Sequence, residues 1–207
     1  MKIGKLNVRP FVVCVQEYPE RTDFILKHFK EIGLGDVEVW DGFNANLSGL
    51  ETKWTYEADN PGSSYRIGAK PVSTWISFYA LWGALSLLPD ESFLICEWDA
   101  QFHPNWRERT ERAIKDLPDQ WDLLYLGSCC TQGKEKKHVA GDVFKVKNVM
   151  CGHATIVRKK ALSVLLKTQR RVYSPLDISV ATYAHPHLDV NVLLPRCVDQ
   201  FETHIPI

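Results

Sequence analysis

Two carboxylates separated by one residue, Glu97 and Asp99 in the triplet Glu97-Trp98-Asp99, follow directly on the apolar run Ser92-Phe93-Leu94-Ile95-Cys96. A short apolar run of this kind reads as a buried strand, so the triplet stands at a strand's C-terminal end. Side chains two apart on an extended chain point to the same face, which lets both acids serve one site. Carboxylate oxygens suit Mn²⁺ or Mg²⁺, and such a cation stabilises the negative charge developing on a departing diphosphate. One acid can hold the metal while the other reaches a ribose or a neighbouring cation. Isolated acid-x-acid triplets also occur on ordinary surfaces; the position after a buried strand singles this one out. Lys70 could meet a diphosphate as a point charge, brace the acidic pair, or stand in water as a loop lysine. Asp177, in Pro175-Leu176-Asp177, could take the proton of an acceptor hydroxyl or serve as an N-terminal helix residue favoured by the helix dipole.

The elements that position these groups follow from periodicity. Phe11-Val12-Val13-Cys14-Val15 predicts a buried strand, and Pro19 opens a helix with Phe24, Ile25, Phe29 and Ile32 at helical spacing and Gly33 as its stop. Val37 to Trp40 alternates as a second strand and ends in the turn Asp41-Gly42. Residues 43–68 lack periodicity and read as a long functional loop. Pro71 to Leu88 is a thickly apolar helix, and its aromatic stripe (Trp75, Phe78, Tyr79, Trp82) is expected to be core. Pro104 suits the first turn of a further helix, Asp122 to Gly127 a strand, Val143 to Lys147 an exposed strand, Ala154 to Val157 a buried strand, and Lys159 to Lys167 a helix. Strands alternating with helices argue for one α/β domain over 1–207 with a mainly parallel central sheet. In open sheets of this kind, ligands bind beyond the carboxyl ends of the strands, where Glu97 and Asp99 should lie.

The chain has 207 residues, 45% of them hydrophobic and 24% charged, as in ordinary globular domains. No apolar run approaches the roughly 20 residues that span a membrane, and the first ten residues lack the apolar stretch of a secretory signal. The six cysteines show no Cys-x-x-Cys spacing, which disfavours zinc or redox motifs. Reduced thiols and a cytoplasmic location are therefore expected. Net charge is zero, yet 133–171 holds eleven Lys or Arg against two acids, a local +9. Such a segment meets a polyanion or forms a solvated surface balanced by acids elsewhere. It carries no recognisable nucleic-acid-binding motif, which counts against nucleic-acid binding as its whole role.

The chain resembles glycosyltransferase family 25, the lipooligosaccharide and collagen galactosyltransferase-like enzymes, over most of its length. Val13 to Arg21 resembles the family's first strand and Pro-x-Arg segment, and Trp40-Asp41-Gly42 its acidic-glycine turn. Ser77-Phe78-Tyr79-Ala80-Leu81-Trp82 is similar to its Ser-His-x-x-x-Trp helix, with Phe78 in place of His. Leu94 to Ala100 resembles its Leu-Ile-x-Glu-Asp-Asp-Ala strand end, with Trp98 in place of the middle acid. Trp121 to Gly127, Gly152 to Leu166, Pro175-Leu176-Asp177 and Pro195 to Gln200 match further family elements. The resemblance implies a GT-A fold, a nucleoside-diphosphate sugar as donor, Mn²⁺ or Mg²⁺ as cofactor, and inversion at the anomeric carbon. It places Gln16 and Arg21 beside the nucleotide, gives Asp41 a contact to base or sugar unless it merely shapes its turn, and assigns Asp99 and Glu97 to the metal. His204 is the expected further metal ligand, with His185 and His187 as substitutes, and Asp177 the expected base. The acceptor is expected to be a hydroxyl on a phosphorylated glycan or on DNA with hydroxylated bases. Two other classes remain open, a nucleotide-sugar-binding protein without catalysis and a nucleic-acid-binding protein.

Overall fold

The computed structural model describes residues 1–15, 18–44, 56–57, 66–132 and 136–201. Gln16, Lys134, His204 and most of the predicted long loop lie outside the described residues.

An eight-stranded sheet organises the chain. Its strands are β1 (Arg9–Cys14), β2 (Glu38–Asp41), β3 (Ser92–Glu97), β4 (Leu123–Gly127), β5 (Lys137–Ala140), β6 (Val143–Lys145), β7 (Ala154–Arg158) and β8 (Val190–Leu193), in the order β5-β6-β8-β4-β7-β3-β1-β2. The helices are α1 (Pro19–Glu31), α2 (Ala69–Leu87), α3 (Trp106–Asp116), α4 (Lys159–Thr168) and the short α5 (Leu176–Ser179). Six strands run one way, and β6 and β7 run against them. The expectation of a mainly parallel sheet thus holds for direction, while neighbouring pairs are mixed. Two strands cause the mixing equally: β7 enters between β3 and β4 and pairs antiparallel with both, and β6 does the same between β5 and β8.

Apolar residues on both faces of the central strands explain a sandwich. Val12, Cys14, Leu94, Cys96, Leu124 and Leu126 pack with Ile25 and Phe29 of α1 and Ala113 and Ile114 of α3. The alternate residues Phe11, Phe93, Ile95, Leu123 and Tyr125 pack with Leu81, Trp82 and Leu85 of α2 and Leu162 and Leu165 of α4. Period-two alternation thus gives each strand a separate core on each side. α1 stops where predicted, with Gly33 at φ +68°, a backbone that glycine adopts without penalty. α3 begins at Trp106, so Pro104 precedes the helix instead of lying in its first turn. The predicted exposed strand at 143–147 ends at Lys145, and Val143 and Val146 are buried, because the first joins the α1–α3 core and the second the α2–α4 core.

The cysteine expectation is corrected. Cys129 and Cys151 form a disulfide, while Cys14, Cys96 and Cys197 are free and buried. The two partners are 22 residues apart; they meet because Cys130–Gln132 pairs antiparallel with Asn148–Met150. Among the described residues, no helix is long and apolar enough to cross a membrane.

Candidate active site

Glu97 closes β3, and Trp98 and Asp99 form the turn that follows it. The site lies at the carboxyl end of a central strand, as expected. Glu97 is partly exposed, with 27% of its side chain accessible, whereas Asp99 is 8% exposed. Burial, reinforced by the charge of Glu97, pushes the Asp99 carboxyl up to about 6. Its Oδ2 accepts a hydrogen bond from Gln200 Nε2 at 3.2 Å, while its Oδ1 is buried without a partner. A buried carboxylate oxygen left open costs free energy unless a cation or donor meets it.

The closing segment supplies Gln200. Val198–Gln200 pairs antiparallel with Ala100–Phe102, setting Gln200 opposite Ala100, and Phe201 N donates to Asp99 O at 2.8 Å. Arg109 of α3 anchors this segment through Arg196 O, at 3.2 Å, and Pro195 O. Gly127 makes the close approach possible, since a Cβ there would lie 2.4 Å from Val198 O.

A cleft of about 240 Å³ lies on the α1 side of the triplet and is lined by Arg21, Gly42, Phe43, Ser77, Trp98 and Asp99 among others. Arg21, in the first turn of α1, stands over Trp98 at 4.6 Å and over Tyr18 at 4.4 Å. Two rings therefore hold its planar guanidinium beside the acidic pair. Asp41 ends β2 at the same sheet edge, exposed, and its neighbours Gly42 and Phe43 line the cleft. Phe43 N donates to Ser77 Oγ at 2.8 Å, tying this edge to α2.

A second cavity, about 410 Å³, opens on the other side of Glu97 and brings together Lys70, Glu97, Asp177 and Gln200. Lys70 lies within the first turn of α2, which carries no acid there, so the expected loop lysine is a helical one. Asp177 accepts from Cys151 N at 3.2 Å through Oδ2 and from Ile178 N at 2.8 Å through Oδ1. A carboxylate has about four lone-pair directions, so both oxygens keep capacity for an incoming hydroxyl. Phe78 lines both cavities and forms part of the wall between them, where the resembled family carries a histidine.

Two contributors carried no sequence signal of their own. His153, 2% exposed, places Nδ1 3.5 Å from Glu97 Oε2 and Nε2 3.7 Å from Cys129 Sγ. Cys151 takes a left-handed backbone, φ 59°, that turns its N–H to Asp177. Among the described residues, Cys129, Cys151 and His153 are the one group of three metal-ligating side chains close enough to share an ion, and two of these are bonded to each other. Glu97 and Asp99 thus gather no third ligand among the described residues. His185 is excluded from that role by its place in the core: it is 3% exposed and hydrogen-bonded to Tyr125 Oη at 3.0 Å. His187 is exposed and outside both cavities.

The basic segment is spread over β5, β6, β7 and α4. Lys145 pairs with Asp189 at 2.6 Å and Lys160 with Asp122 at 2.9 Å, while Arg158 stacks on Trp121 at 5.4 Å. Several of its cations are therefore already matched by groups from outside the segment.

No family model matches the chain. The chain is similar to inactive glycosyltransferase 25 family member 3 of mouse, 28% identical over 151 residues, covering 68% of this chain and 25% of the relative. The human protein of that name is 29% identical over 136 residues, covering 61% of this chain and 22% of its own length. The chain thus spans about a quarter of the length of these curated relatives. Among solved structures, a glycosyltransferase involved in glycosylation of the PBCV-1 major capsid superposes with a TM-score of 0.51 at 12% identity, covering 91% of this chain and 82% of the other. The fold is a mixed α/β, Rossmann-like arrangement of the kind glycosyltransferases use. The sequence resemblance to family 25 is borne out by these relatives.

Proposed function

We propose that the chain is a nucleotide-sugar-dependent glycosyltransferase whose donor lies in the Arg21–Trp98 cleft and whose acceptor enters the Asp177 cavity. The observation carrying this reading is that two cavities meet at Glu97, one bordered by a stacked arginine and a buried acid, the other by a lysine and a second acid. Arg21 is held in place to meet the diphosphate with a fixed, planar charge. Lys70, in the first turn of α2, lines the acceptor cavity with Glu97 and braces the acidic pair from that side. Asp99, with its open Oδ1, and Glu97 fit a hard divalent cation as ligands; when bound it would neutralise charge on the leaving diphosphate. Gln200 fixes the Asp99 carboxylate, and Asp177 accepts the acceptor hydroxyl proton as the new glycosidic bond forms. A screen of UDP- and GDP-sugars by thermal shift, with and without Mn²⁺, tests donor binding, since a bound donor raises the melting temperature with concentration. No shift with any donor would overturn the proposal.

A second reading, donor binding without transfer, is favoured by Trp98 in place of an acid and by relatives named inactive. Release of free sugar from the donor in the absence of acceptor would exclude it. A polyanionic acceptor, phosphorylated glycan or DNA, would have to rest on the cations of 133–171 that stay exposed, such as Lys136, Lys137 and Arg170, and a loss of acceptor affinity on replacing Lys136 and Lys137 by Glu would favour it over a neutral one.

A further inference from the structure

The 410 Å³ cavity is a channel between one face of the sheet and one stripe of α2. Ile95 and Glu97 of β3, Leu123 and Tyr125 of β4, and Thr155 and Val157 of β7 alternate onto that face, and Thr74, Phe78 and Trp82 face them at four-residue spacing. Strand register gives the channel a direction. Ala154 pairs with Cys96 and Gly127 at the acidic end, whereas Val157 pairs with Phe93 and Leu123 at the far end. Leu123 to Gly127 spans roughly 13 Å at the rise of a strand. Lys70, Glu97, Asp177 and Gln200 gather at the first end, and Trp82, Leu123 and Val157 line the other; Leu165 lies partway along, because α4 starts beside Val157 and runs back toward α5. The Tyr125 hydroxyl is already bonded to His185, and Leu123 and Val157 offer only carbon to the far end.

We propose that this channel seats the alkyl chain of the acceptor, an alcohol with an apolar body whose hydroxyl stays between Glu97 and Asp177. The proposal rests on the reading of the site as a glycosyl-transfer centre. A sugar ring driven into the far end would bury hydroxyls without partners, which costs free energy, whereas each methylene leaving water gains it. The hydroxyl oxygen bonds to the anomeric carbon, the bond from that carbon to the diphosphate oxygen breaks, and the hydroxyl proton passes to Asp177.

The test uses primary n-alkyl alcohols from butanol to decanol, as acceptors with the donor and as ligands in calorimetry without it. KM and Kd should each fall about fourfold per added methylene until the chain reaches Leu123 and Val157, then level off. Leu165→Trp should move that plateau to shorter chains with donor affinity unchanged. A chain-length series that is flat in both measurements, on the wild-type protein alone, overturns the proposal. So does a free hexose accepted as well as decanol. Chain-length-dependent binding in a protein that binds no donor would uphold the channel and sink the transferase reading instead.

Discussion

Asp99 keeps a carboxyl in a place that resists its ionisation, near 6 and one oxygen short of a partner. Such a group costs stability whenever it is charged and nothing compensates it. Asp99→Asn should therefore raise the stability of the metal-free protein at neutral pH by about 1–2 kcal/mol, while abolishing any Mn²⁺-dependent gain in donor affinity. Thermal melts and donor titrations with and without chelator measure both; a variant that keeps full metal-dependent donor binding excludes Asp99 as ligand. Asp177 is a different case, with its oxygens steadied by two backbone N–H groups. Asp177→Asn should lower kcat by about 10²–10⁴ with donor affinity nearly unchanged. A collapse of donor binding would move Asp177 to the nucleotide side. The acidic triplet and Asp177 were legible in the sequence because strand ends and residue types announce them. Gln200 as the partner of Asp99, His153 beside Glu97 and the stacking of Arg21 on Trp98 were not, because each joins residues far apart in the chain.

At the scale of elements, the segment from α5 to β8 is pinned to the sheet through His185, whose burial lowers its imidazole to about 4. Unfolded histidine titrates near 6.5, so between these values the unfolded chain binds more protons than the folded one. This contribution is fully present above about pH 6.5 and is lost as pH falls toward 4, a swing of roughly 3 kcal/mol. Stability measured by denaturant titration should decline through that window, and His185→Gln should flatten the decline. Gly127→Ala is expected to push Val198–Gln200 off the end of β4, costing about 1–3 kcal/mol and loosening Gln200 from Asp99. Weaker metal-dependent donor binding alongside the lower melting point would show both effects. The order of strands and helices was legible because apolar runs and helical spacing are local. The reversal of β7 was not, since direction depends on what a strand pairs with.

On the scale of the whole molecule, the disulfide closes a loop between β4 and β7 and should contribute about 3 kcal/mol by restricting the unfolded chain. Reduction, or the pair Cys129→Ser and Cys151→Ser, should lower the denaturation midpoint accordingly. Spacing gave no hint of this bridge, because an intervening pair of short strands brings its ends together. The charge asymmetry of 133–171 was legible, yet its dispersal over four elements and its pairing with outside acids could not be read from composition. For the apolar alcohol proposed as acceptor, Lys136→Glu with Lys137→Glu should leave affinity unchanged, whereas a polyanionic acceptor would bind more weakly. The log–log salt slope should lie near zero, against about −0.9 for each phosphate neutralised on duplex DNA. The antiparallel entry of β7 has a bearing on how such a chain can change over generations. Because β7 runs backwards, the stretch leading into it, with Cys151, Gly152 and His153, arrives at the same rim as the outgoing end of β3. On the transferase reading proposed above, insertions in that stretch would remodel the acceptor side while the Arg21–Trp98 side, built from β1, α1 and β3, stays as it is. Divergence of taste and constancy of currency are thereby assigned to separate stretches of one chain.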